Sequence, residues 1–310
     1  MLLAQPPLRL KFYVSAALIT SVLVGFVYHF WALDIRPLTV PPRLPTGIPK
    51  KIWYKLGPSG LSNRSRMWTE SCLKNNTNYE YEFMTDNSAE AYVRKAFASR
   101  PDIVETYTGV SIPILRADLL RYLLLFDKGG IWSDLDVSCE GAPIDEWIPH
   151  EYKGNASLVV GWEFDVGWGE EIIRQFQSWT IMSKPGLPHM AMVIQDIVDA
   201  LKNKTIEHKV SLGGLTLGML GRVEDMTGPR RLTRSVLKSL EQSMNKAIPI
   251  DDIKNLVEPK LVGDVLIMPG YSFATSANRY GENGPPGPPL VQHHYAGSWK
   301  NSHGGEDAAQ

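Results

Sequence analysis

Cysteine is almost missing from this chain. Its 310 residues hold two, Cys72 and Cys139, with no Cys-x-x-Cys pair. That excludes a zinc ribbon. The two thiols either pair in an oxidising compartment or stay free and buried, because spacing alone sets no distance between them. A surplus of positive charge is also missing, with 32 Lys and Arg against 33 Asp and Glu and a net charge of −1. Nucleic-acid binders normally carry a basic excess, so no nucleic-acid partner is expected. There is no internal repeat. Hydrophobic residues at 44% and charged residues at 21% exclude a disordered chain. The nine Trp and 12 Tyr serve either as core or as stacking platforms for sugars or bases.

Charge is missing altogether from Phe12 to Leu33, 22 residues without Asp, Glu, Lys or Arg. At ~1.5 Å per residue this covers roughly 33 Å, enough for a ~30 Å hydrocarbon core. A signal peptide has a shorter apolar region and a small-residue cleavage site, neither of which is present. Tyr28 and Trp31 suit the interfacial belt. Residues 12–33 are therefore expected to be an uncleaved transmembrane anchor, preceded by a cytoplasmic tail (1–11). Flanking positive charge does not orient it. The sequons at Asn63, Asn75, Asn155 and Asn203 all lie downstream and place the C-terminal part in the lumen as glycosylation acceptors. The expected topology is single-pass type II.

Pro37, Pro41, Pro42 and Pro45 mark residues 34–47 as an extended stem. Residues 48–300 suit one α/β domain, and 301–310 form a polar tail. Strands are expected at 50–56, 79–85, 130–137, 157–164 and 264–269. Helices are expected at 67–76, at 88–99 with Ser88 as N-cap, from Pro113 to Lys128 with Gly129-Gly130 ending it, at 170–183 and at 189–203. Residues 281–289 read as a loop. The alternation implies a mostly parallel sheet.

The chemistry concentrates in "SDLDV". Asp134 and Asp136 are two apart at a strand end, so both carboxylates project to one side and can share a divalent cation, Mg²⁺ or Mn²⁺ rather than zinc. Open α/β sheets bind ligands at such strand ends. On the preceding apolar helix, Asp118 and Arg121 are three apart and share a face. Buried charges need partners, which are either each other or a ligand's hydroxyls and phosphates. Glu163 and Asp165 follow a strand and can orient an acceptor hydroxyl or act as a base. In "HHYAGSW", His293 or His294 can ligate a metal, and Ser298 and Trp299 can donate to phosphate. Alternation turns only one of the two imidazoles inward.

The block "RADLLRYLLLFDKGGIWSDLD" (116–136) resembles the signature of glycosyltransferase family 32, the sugar-binding-region family with the DxD motif. "IPKKIW", "RQFQSWTIMSKPGLPHM", "TGPRRLT", "VLIMPGYSF" and "HHYAGSWK" resemble, in order, blocks of its fungal Golgi initiation-specific alpha-1,6-mannosyltransferase branch. The resemblance covers about 48–300. It implies a GT-A type nucleotide-sugar-binding domain. It also implies a retaining mannosyltransferase of the Golgi membrane that uses GDP-mannose with Mn²⁺ on an N-glycan or mannan acceptor, with other subunits of a Golgi transferase complex as candidate partners. By motif position Asp134 contacts the sugar nucleotide, Asp136 ligates the metal, and Asp118 and Arg121 hold the donor's hydroxyls and phosphates. Trp53 either stacks on the base or packs in the core, and the pattern favours His293 over His294. The chain departs from the family at Trp132, at Tyr54-Lys55, at Leu187-Pro188 and at Arg230-Arg231. Two further readings follow: an inositol-phosphoceramide acceptor, or a catalytically silent structural subunit.

Overall fold

The computed structural model describes residues 46–297. The expected tail, membrane anchor and most of the stem lie outside these residues, as do Ser298, Trp299 and the C-terminal tail. No helix among the described residues is long and apolar enough to cross a membrane.

Seven strands form one sheet: β1 (Lys51–Lys55), β2 (Glu80–Met84), β3 (Gly130–Ser133), β5 (Leu158–Gly161), β6 (Thr180–Ser183), β7 (Lys260–Val262) and β8 (Val265–Met268). Their order is β2-β1-β3-β6-β5-β8-β7. Two short strands, β4 (Val137–Cys139) and β9 (Val291–His293), make a separate antiparallel ladder with Val137 opposite His293. The pairs β1–β2, β1–β3 and β5–β8 are parallel, and β3–β6, β5–β6 and β7–β8 are antiparallel. Five strands thus point one way while β6 and β7 oppose them. The sheet is mostly parallel, as expected, with two strands running against the rest.

β6 is one of the two, and it corrects the helix expected over 170–183. Thr180–Ser183 is wholly buried between β3 and β5. The Gln177 side chain bonds the Thr180 amide at 2.8 Å and also the Thr180 carbonyl, a closed turn that launches the strand. Trp162 bridges to Phe176 just before it. The helical spacing of the segment was outweighed by a slot in the sheet.

Both faces of the sheet are covered, and the strands alternate between two cores. Trp53, Trp132, Val265 and Ile267 face one; Ile52, Tyr54, Leu266 and Met268 face the other. The first core holds α2 (Asp86–Ala96), α3 (Pro101–Gly109), α4 (Pro113–Asp127), α5 (Pro188–His208) and α6 (Pro229–Met244). The second is closed by α1 (Asn63–Lys74), with Cys72 in it. Ser88 is not the cap of α2; Thr85 is, and Ser88 returns the bond at the third position. α4 starts on Pro113 and runs into Gly129 at φ +66° and Gly130 at φ +99°. A Cβ on Gly130 would lie 2.5 Å from the Lys51 carbonyl oxygen, so only glycine lets the chain turn from α4 straight into β3.

Cys72 and Cys139 are joined in a disulfide that ties α1 to β4. The Ser71 hydroxyl accepts the Cys139 amide at 2.9 Å beside it.

Candidate active site

A cavity of about 610 Å³ opens at the carboxyl ends of the parallel strands. Asp118, Arg121, Asp134, Asp136, Glu163 and His293 all line it. Residues separated by up to 175 positions in the chain converge there.

β3 ends at Ser133, and Asp134 is fixed by its amide to the Trp179 carbonyl at 2.9 Å. The Asp134 carboxylate accepts from Trp132 Nε1 at 2.6 Å and from Arg121 Nη2 at 3.2 Å. Asp136 accepts the Ala296 amide at 3.0 Å and lies 3.3 Å from His293 Nε2. Asp134, Asp136 and His293 present ligand atoms within 4.8 Å of one another. Two carboxylate oxygens and an imidazole nitrogen suit Mn²⁺ or Mg²⁺. Burial, more than the Arg121 charge can offset, pushes the Asp134 carboxyl up, and the Asp136 charge pushes the same way. Burial also acts on Asp136, but the His293 bond and charge and the Ala296 amide outweigh it and hold that carboxyl down. Two crowded acids of opposite displacement are what a cation would relieve.

The histidine pair is resolved by alternation in β9. His293 stacks on Trp179 with centroids 4.1 Å apart and faces Asp136. His294 points the other way, stacked on Trp68 at 4.3 Å and bonded to the Ser138 hydroxyl at 2.9 Å. The expectation of His294 as a metal ligand is therefore corrected: it stands outside the cluster, where it holds the small ladder against α1.

Asp118 and Arg121 do pair, at 3.2 Å, and both are buried. Thr227 donates its hydroxyl to Asp118 at 2.7 Å. Burial raises the Asp118 carboxyl despite the Arg121 charge. Arg121 is not used up, since its Nε and Nη1 have no partner among the described residues. A buried guanidinium with spare donors is suited to phosphate oxygens.

Glu163 accepts from Gln175 Nε2 at 2.5 Å, and its burial holds the carboxyl above the usual range. Asp165 does not join it. Its carboxylate takes the Asn255 and Leu256 amides, the latter at 3.0 Å, and does not line the cavity. Trp53 also stays out, with Nε1 on the Gly129 carbonyl at 2.8 Å inside the core. Asn63 and Asn203 fall inside α1 and α5; Asn75 caps α1 and Asn155 sits in a turn.

Sequence reasoning missed Trp179, Glu224 and Arg230, which line the cavity, and Thr227, which holds Asp118. Trp179 was hidden in the supposed helix. Thr227 and Arg230 lay in a recognised block but had no assigned role. A Ser239–His189–Asp264 chain, with contacts of 3.0 and 2.9 Å, looks hydrolytic, but Ser239 is buried between helices and lines no cavity described here.

Residues 62–153 match the family described as "Glycosyltransferase sugar-binding region containing DXD motif". The chain is 34% identical over 266 residues to the initiation-specific alpha-1,6-mannosyltransferase of Schizosaccharomyces pombe, covering 82% of this chain and 64% of that one. It is 30% identical over 282 residues to the enzyme of the same name from Candida albicans, covering 82% and 72%. The chain belongs to this glycosyltransferase family. A shorter match, 31% over 107 residues, reaches the mannosyl phosphorylinositol ceramide synthase of Saccharomyces cerevisiae and covers 34% of this chain and 27% of that one. The chain spans just under two thirds of the fission-yeast relative's length. Within this glycosyltransferase the DxD pair is Asp134 and Asp136, and the structure adds His293 as their neighbour.

Proposed function

We propose that this glycosyltransferase has a GT-A type domain and transfers mannose from GDP-mannose, with retention and with Mn²⁺, to an N-glycan or mannan acceptor. The observation that carries the reading is the convergence of Asp134, Asp136 and His293 with the half-free Arg121 in one cavity. The names of the relatives favour mannose and a glycan acceptor. The disulfide and the four sequons favour a lumenal domain, and the uncharged run at 12–33 favours a type II Golgi anchor.

Asp134, Asp136 and His293 would hold the cation, which supplies positive charge opposite the departing diphosphate. Arg121 offers its guanidinium to phosphate oxygens, and Asp134 and Asp118 fix its orientation. Asp118 keeps Oδ2 on Thr227, and its Oδ1, which also faces Arg121, accepts sugar or ribose hydroxyls. Glu163, held by Gln175, accepts a hydrogen bond from the acceptor hydroxyl and keeps it aimed at the sugar.

The test is nucleotide release by the full chain in detergent. GDP-mannose and three UDP-sugars are each supplied with Mn²⁺, with and without α-mannosides, and Asp136→Asn serves as control. Acceptor-stimulated turnover of GDP-mannose alone, lost in the variant, supports the reading; turnover of a UDP-sugar overturns the donor. The ceramide-synthase match motivates one alternative, an inositol-phosphoceramide acceptor. It falls if a mannan oligosaccharide receives sugar and the lipid does not. A silent subunit is disfavoured by the intact Asp118, Arg121, Asp134 and Asp136.

A further inference from the structure

The cavity continues past the metal cluster along α4. Arg121 and Asp118 belong to its diphosphate end. Lys55, Asp86, Ser111, Pro113, Ile114 and Arg116 line the same cavity, Pro113, Ile114 and Arg116 from the first turn of α4. Seven helical residues separate Arg121 from Ile114, about 10 Å at the helical rise. That is comparable to the reach from diphosphate to base in an extended nucleotide.

The polar groups here are unusual. Lys55 closes β1, and its Nζ lies 2.9 Å from Asp86 Oδ1. Asp86 is the first residue of α2 and its side chain is half exposed. Arg116 Nη2 lies 3.4 Å from Glu90, while its buried Nε has no partner among the described residues. Its guanidinium sits over the Tyr107 ring at 5.2 Å. Leu56, Pro113 and Ile114 offer apolar surface for the faces of a flat ring.

Bases differ in the edge they present. Guanine places two donors side by side, N1–H and the 2-amino group, next to acceptors O6 and N7. A carboxylate meets the donors with both oxygens, and cations beside it meet the acceptors. Uracil has one donor flanked by two carbonyls, so a carboxylate set on that donor forces its second oxygen against a carbonyl.

We propose that Asp86, flanked by Lys55 and Arg116, reads the base of the donor nucleotide and selects guanine over uracil. The assignment rests on the nucleotide-sugar reading given above. It makes Lys55 a specificity residue, and it puts base recognition on a carboxylate rather than on Trp53.

Calorimetric binding of GDP, UDP and inosine diphosphate to the full chain with Mn²⁺ tests it, because inosine diphosphate lacks only the 2-amino group. Wild type should bind GDP about tenfold or more tightly than inosine diphosphate, the loss expected for one bond to a charged acceptor. In Asp86→Asn that difference should collapse, and the preference for GDP over UDP should fall at least tenfold by weaker GDP binding. Lys55→Met, which leaves the carboxylate in place, should keep the response to the 2-amino group. Equal wild-type affinity for GDP and inosine diphosphate, or an Asp86→Asn variant that keeps its selectivity while folded by circular dichroism, overturns the assignment and leaves the mannose-donor reading standing. Preference for UDP, or no nucleotide binding, overturns both.

Discussion

The double substitution Cys72→Ala/Cys139→Ala should cost the domain much of its stability. The bridge closes a loop across a sequence separation of 67 residues. Loop-closure entropy for that length stabilises the folded state by about 4 kcal/mol at 25 °C. For a domain of roughly 250 residues, each kcal/mol shifts the melting midpoint by about 2–4 °C, so a fall of roughly 8–16 °C is expected. Effects should also reach the metal. Asp136 precedes β4 directly, β4 is paired to the strand that carries His293, and the bridge pins β4 to α1. The bonds from Ser71 to Cys139 and from Asn76 to Ile144 survive the substitution. Metal affinity should therefore drop severalfold rather than vanish. Thermal unfolding followed by tryptophan fluorescence measures the first effect, and Mn²⁺ titration calorimetry the second. A variant that melts within 2 °C of wild type would refute the entropic reasoning. Unchanged Mn²⁺ affinity would refute the link from bridge to site.

Three other outcomes are expected. Asp136→Asn and His293→Ala should each reduce Mn²⁺ affinity at least tenfold with little change in melting, measured by calorimetry, since each removes one of three ligands. Arg121→Ala leaves the buried Asp118 and the partly exposed Asp134 without their cation, so it should destabilise by about 3 kcal/mol in urea titration without metal. Added Mn²⁺ should recover part of that loss, and Arg121→Lys should not restore turnover, because an ammonium cannot span both carboxylates and a phosphate. Asp102 forms a fork with buried Arg100 at 2.6 and 2.8 Å. Burial pushes its carboxyl up, but the Arg100 bonds and charge and nearby amides outweigh it and hold it down. A depressed carboxylate stabilises above its unfolded pKa near 3.9 and ceases to as pH falls through its folded value. Asp102→Asn should thus cost about 1–2 kcal/mol at pH 7, discounted for the water that reaches Asp102, and less below pH 3 in urea titrations.

Much of the site was legible because its signals are local. Two acids two apart at a strand end, and an acid and a base three apart on an apolar helix, keep their geometry wherever the fold puts them. Gly129-Gly130 likewise announced its own turn. Trp53 was ambiguous because an aromatic on a strand can stack on a base or pack in the core, and only the folded sheet puts it on the core side. Asp165 misled because a loop carboxylate can bind backbone amides as readily as a substrate, and only the fold brings Asn255 and Leu256 to it. β6 failed for the opposite reason: its helical spacing was real, but its strand state depends on β3 and β5, which lie elsewhere in the chain. The choice between His293 and His294 turned on a partner strand, β4, too short to register as a strand by itself.

His293 is 157 positions beyond Asp136, and the ladder between them is the last piece of regular structure among the described residues. During synthesis the strands that carry the acidic pair therefore emerge well before their third ligand. A polypeptide cut anywhere between the two would hold Asp134 and Asp136 with no imidazole and β4 with no partner. If the cluster binds its cation as proposed, cation affinity would serve as a completeness check, reporting that the polypeptide has been made through β9 and folded back onto its first half.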